Sequence, residues 1–80
     1  MGLSLNAATT PSAADTLIER VERIVRLRTA SRVHNLQVDV QGTDVILTGV
    51  APTYYVKQLA THAALDEIEQ RTLTNDIDVQ

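Results

Sequence analysis

Eighty residues, with two tyrosines as the only aromatics among 44% hydrophobic side chains, allow one small core of valine, isoleucine, leucine and alanine. A domain of this size buries about 60% of the surface its unfolded chain exposes, so its stability is modest. The absence of cysteine excludes disulfides and thiolate metal sites, and the net charge of −3 argues against a domain built to grip a nucleic-acid backbone.

Met1 to Pro11 are small and polar apart from Leu3 and Leu5. They are expected to form a flexible tail, with a short edge strand through Leu3 and Leu5 as the alternative, which leaves residues 12–80 as a single domain. With neither a basic end nor a continuous apolar block, this opening is not expected to act as an export signal. Asn6 stands where a myristoylation start requires Ser or Thr. No apolar run in the chain approaches the roughly 18 residues of a membrane-spanning helix.

Ser12 is the expected N-cap of a first helix that begins near Ala13, with Asp15 three residues on. At roughly 100° per residue, Leu17, Ile18, Val21, Ile24 and Val25 fall within about 120° of one another, the width of a core-facing stripe that the Arg28 stem closes on one side. Glu19, Glu22, Arg23 and Arg26 lie opposite. Glu19 with Arg23 and Glu22 with Arg26 have the spacing of intrahelical ion pairs, worth about 0.2 to 0.5 kcal/mol each. The region from Met1 to Asn35 holds five arginines against three acids, whereas Leu36 to Gln80 hold two bases against seven acids. The basic character therefore sits on the first helix and its exit, where the helix dipole favours cations. Arg20, Arg23, Arg26, Arg28 and Arg32, with Leu27 beside them, form a candidate surface for anionic lipid headgroups.

After a polar connection from Thr29 to Asn35, Leu36, Val38 and Val40 alternate with Gln37, Asp39 and Gln41. A period of two marks a strand with one wet and one buried face. Gly42 interrupts the β-branched run beside Thr43 and Asp44, and Val45 to Thr48 resume it, so Leu36 to Val50 are predicted to fold as a hairpin. Two strands cannot bury their apolar face alone, and the flanking segments are expected to cover it. Gly49 is read as structural, either through a positive φ or because no side chain fits beneath a helix.

Pro52 stops the strand and Thr53 caps a second helix. In that helix Tyr55, Val56, Leu59, Ala60 and Ala63 share one face, and small alanines let it lie close to the sheet. Tyr54, Leu65 and Ile68 project from the far side, a candidate partner surface. The alternative is that the helix stops near Leu65 and Ile68 turns back into the core. Thr72 to Val79 read as a last strand, parallel to the second, after a right-handed crossover. The predicted architecture is α+β with the order αββαβ, a three-stranded mixed sheet covered on one face by two helices.

This order, with Val38-Asp-Val40-Gln-Gly42 leading to Val45-Ile-Leu47-Thr-Gly49-Val50, resembles the BON domain, named for bacterial OsmY and nodulation proteins. Gly49 matches the family's glycine after the second strand, Ala60 and Ala63-Ala64 its small helix residues, and Asn75-Asp76-Ile77-Asp78-Val79 its closing strand. The resemblance spans about Asp15 to Val79. It implies a non-enzymatic bacterial cell-envelope and osmotic-stress module that binds phospholipid or attaches to the envelope, in a periplasmic setting and without cofactor. The chain departs from the family at Glu69-Gln70-Arg71-Thr72, where many members carry a glycine.

The residues themselves name no reaction. His62 and Asp66 stand four apart on one helix but lack a third ligand, so no metal is expected. Asp66, Glu67 and Glu69 read as a solvated acidic run rather than a general acid–base pair, and no serine has a nucleophile elbow around it. The topology also resembles KH-type RNA binders, but their Gly-X-X-Gly clamp is missing, since Gly42 and Gly49 stand on the hairpin. Two expectations follow: attachment to an anionic phospholipid surface through the first helix, or protein interaction and self-association through the second helix or a sheet edge.

Overall fold

The structure, a computed structural model, describes residues 13–80. The expected tail of Met1 to Pro11 and the Ser12 cap lie outside the described residues. Five elements follow one another: α1 (Ala13–Arg28), β1 (His34–Gln41), β2 (Asp44–Ala51), α2 (Tyr54–Ile68) and β3 (Thr72–Val79). The strands form one mixed sheet in the order β1-β2-β3, with β1 antiparallel and β3 parallel to β2. Both helices pack on one face of it, as the apolar periodicities require.

The core grows directly from those periodicities. Leu17, Val21 and Val25 of α1 belong to one buried cluster with Leu36 and Val38 of β1, Val45, Leu47 and Ala51 of β2, and Ile77 of β3, with Ile18 and Ile24 packed half-buried at the margin. On the opposite face Gln37, Asp39, Thr48, Thr72, Asp76 and Asp78 are exposed. A strand's period of two thus separates a dry side from a wet one. Across the wet side, the Asp44 carboxylate accepts hydrogen bonds from the Thr72 and Thr74 hydroxyls, at 2.9 Å from each, and joins β2 to β3.

α1 ends in a Schellman arrangement. The Ser31 amide donates to the Arg26 carbonyl at 2.8 Å and the Ala30 amide to the Leu27 carbonyl at 3.3 Å. Ala30 occupies the position that glycine usually fills, with φ +55°. The connection that follows is less polar in space than in sequence. Val33 is buried, and so is Thr29, whose hydroxyl donates to the Val25 carbonyl at 2.7 Å. A buried hydroxyl with a partner avoids the desolvation cost of an orphan donor.

β1 starts at His34, two residues before the alternation begins, because it contains a bulge. His34 pairs with Val50 and Gln37 with Thr48, so Asn35 and Leu36 together face Gly49. Asn35 takes a positive φ of +57° there. Gly42 and Thr43 form the two-residue hairpin turn, with Gly42 at φ +62° and open space where a Cβ would stand. Gly42 therefore serves the backbone conformation, as the sequence suggested.

Thr53 caps α2, its hydroxyl oxygen accepting from the Val56 amide at 3.1 Å. The helix continues to Ile68, past Leu65. Its buried stripe is Val56, Ala60, Ala63, Ala64 and Ile68. Glu69 then turns the chain with φ +55°, in a segment that contains no glycine. On the dry side of β3, the Asn75 amide donates to the Lys57 carbonyl at 3.1 Å and to the Thr61 hydroxyl at 2.7 Å, fastening the strand to α2.

Candidate functional site

The outer side of α1 is where the sequence placed its basic surface, and the fold spends part of that charge internally. Arg20 Nε lies 3.3 Å from Glu67 Oε1, and Arg28 Nη2 lies 3.4 Å from Asp66 Oδ2. Both acids stand on the last turn of α2, so these pairs join the two helices. Arg26 Nη1 is 3.9 Å from Glu22 Oε1, the expected intrahelical pair at its outer limit. The other expected pair, Glu19 with Arg23, is not formed. Among the described residues Arg23 and Arg32 have no carboxylate within ion-pair distance. Such exposed pairs contribute about 0 to 1 kcal/mol each, and a phosphate of comparable geometry can replace the carboxylate.

Leu27 projects from this side with 73% of its surface exposed. It shares a hollow of about 240 Å³ with Arg20, Arg23, Ile24 and Glu67. Half-buried Ile24 forms part of the floor, and guanidinium groups stand at the rim. Arg20, Arg23 and Leu27 are thus brought together, whereas Arg26 lies to one side and Arg28 and Arg32 lie at the helix exit. The hollow can hold an apolar group beside an anionic one. Glu67, which the sequence placed in a solvated run, belongs to this site, and only the packing of α2 across α1 reveals it.

The second candidate surface is corrected in one residue. Ile68 has no exposed area, so it cannot meet a partner with Tyr54 and Leu65. The helix does not stop early; its core stripe is rotated, and Ile68 continues the line of Val56, Ala60 and Ala64. The same rotation brings out Tyr55, expected in the core and 68% exposed. Three alanines in this helix carry little directional preference. The tyrosines at its first turn can keep their hydroxyls in water at small cost. Tyr54 and Leu65, both exposed, are eleven residues apart, about 16 Å along the axis. They do not form one patch.

His62 is exposed on α2, and its neighbour Asp66 is held by Arg28. Among the described residues no group of three or more His, Cys, Asp or Glu side chains gathers as a metal ion would need, and no helix is long and apolar enough to cross a membrane. Set against protein-family models, curated proteins and solved structures, the chain matches none of them.

Proposed function

We propose that this chain is a non-enzymatic attachment module that meets an anionic phospholipid surface through the outer side of α1, in line with its resemblance to BON domains of the bacterial envelope. The observation that carries the reading is the protruding Leu27 beside Arg20 and Arg23 at the rim of an apolar-floored hollow. An exposed leucine flanked by guanidinium groups suits the boundary between headgroups and acyl chains. Arg23 and Arg32 supply the readily available charge, and Arg20, Arg26 and Arg28 join by exchanging a carboxylate for a phosphate. Each basic residue near such a surface contributes about 1 kcal/mol. Several acting together give weak, salt-sensitive binding.

The test is co-sedimentation with vesicles of zwitterionic lipid, with and without an anionic component, at low and physiological salt. Wild-type protein is expected to pellet only with the anionic vesicles, and to be released by salt. Arg23→Glu combined with Arg26→Glu is expected to abolish the effect. No pelleting at low salt, or pelleting that ignores the double substitution, overturns the reading.

A further inference from the structure

The two broad faces of the molecule are complementary in charge and in relief. One is the outer side of α1, where Leu27 protrudes near Arg23 and Arg26. The other is the bare face of the sheet. None of the three strands contains a lysine or an arginine, while Asp39, Asp44, Asp76 and Asp78 all point to the bare side. At its centre Ile46 sits half-buried between Asp39 of β1 and Thr74 of β3. A shallow hollow of about 500 Å³, walled in part by Gln37, Asp39 and Thr48, opens over Ile46 and continues round the β1 edge.

An apolar knob with Arg23 and Arg26 nearby on one face, and on the other a hollow over Ile46 that has Asp39 in its wall and Asp76 and Asp78 on the same side of β3, are the two halves of one contact. We infer that this chain associates head to tail, with the α1 face of one copy seated on the bare sheet face of the next. Leu27 covers Ile46, and Arg23 and Arg26 face the aspartates of β1 and β3. The occupant is a second copy because that copy supplies both halves. The contact is heterologous: a pair is left with an unused α1 face on one copy and an unused sheet face on the other, so growth proceeds to a ring or an open chain. Since the charges lie at the surface, the assembly dissolves as salt shortens the screening length.

The experiment is analytical ultracentrifugation of the whole chain at low salt across a wide concentration range. Wild-type protein is expected to show a sedimentation coefficient that rises with concentration past the dimer, and to return to the monomer at about 0.5 M salt. Arg23→Glu with Arg26→Glu reverses the helix face, and Asp76→Lys with Asp78→Lys reverses the sheet face. Each reversed protein alone is expected to stay monomeric. Mixed in equal amounts, they are expected to associate again and to grow past the dimer in strict alternation, because the reversed helix face fits the reversed sheet face and the two native faces still fit each other. All four positions are exposed. If a reversed protein fails to fold, Arg23→Gln with Arg26→Gln and Asp76→Asn with Asp78→Asn replace it, and each is expected to weaken association. A wild-type monomer at millimolar concentration, a mixture that stays monomeric, or association indifferent to these substitutions overturns the inference. The sheet-reversed protein keeps α1 intact, so its binding to anionic vesicles is judged separately from its self-association.

Discussion

A Cβ built on Gly49 would stand 2.9 Å from the carbonyl oxygen of His34 and equally close to a methyl group of Val33. Gly49 also holds φ at +148°, a conformation that side chains rarely tolerate. The close approach exists because the β1 bulge presses two residues against this one. Gly49→Ala is therefore expected to cost about 2 to 4 kcal/mol, combining backbone strain with overpacking. Gly42→Ala, at a positive φ with open space around it, should cost about 1 to 2 kcal/mol. Urea denaturation of the two variants side by side measures the difference.

Of the four non-glycine residues with positive φ, two stand just past the ends of helices, where glycine is favoured. Ala30 closes α1 at φ +55° and Glu69 leaves α2 at φ +55°. Removing the Cβ relieves about 1 kcal/mol at each, so Ala30→Gly and Glu69→Gly are expected to stabilise the fold. A thermal melt should move upward by about 4 to 8 °C per substitution.

Ile68 is fully buried, whereas Leu65, three positions earlier, is exposed. Ile68→Ala is expected to cost about 2 to 5 kcal/mol through the cavity it leaves. Leu65→Ala, on the exposed side, should stay within about 0.5 kcal/mol. Equal effects in denaturation curves would contradict this placement of the helix.

Asn75 is the polar pin between β3 and α2, and its Oδ1 also accepts from the Ile77 amide at 3.0 Å. Asn75→Ala leaves the Thr61 hydroxyl and that amide short of a partner, at a cost of about 1 to 3 kcal/mol. Native-state hydrogen exchange should show faster exchange at the Ile77 amide than in the wild type.

Glu67 and Asp66 neutralise two of the arginines available to an anionic surface. Glu67→Gln with Asp66→Asn should cost little stability, since exposed pairs are weak. It should strengthen pelleting with anionic vesicles about fivefold or more, on the scale of about 1 kcal/mol for each freed base. Unchanged or weaker pelleting at low salt would show that these acids do not restrain the surface.

Much of this fold is legible in order. Leu36, Val38 and Val40 declare a half-buried strand, Gly42 the turn, and Thr53 the start of α2, because each signal is local and has one common structural meaning. Legibility fades where neighbours decide. Thr29 reads as a loop residue and is buried, because its hydroxyl finds the Val25 carbonyl one turn back. Tyr55, expected in the core, faces out, and Ile68 reaches the core from within a helix that continues past Leu65, because an alanine-containing helix has no steep apolar gradient to orient it. Arg20 and Arg28 read as free charge and are pairs, because their partners lie more than thirty residues away.

The sequence by itself determined which segments become helix and strand, and which side of each strand stays dry. Backbone preference and hydrophobic period act within a few residues, and they are written in the chain. Tertiary structure alone decided that β1 bulges onto Gly49, that α2 turns Ile68 inward and Tyr55 outward, and that the acids of α2 meet the arginines of α1. Those outcomes rest on contacts between distant segments, whose energies exist only once the elements are packed together.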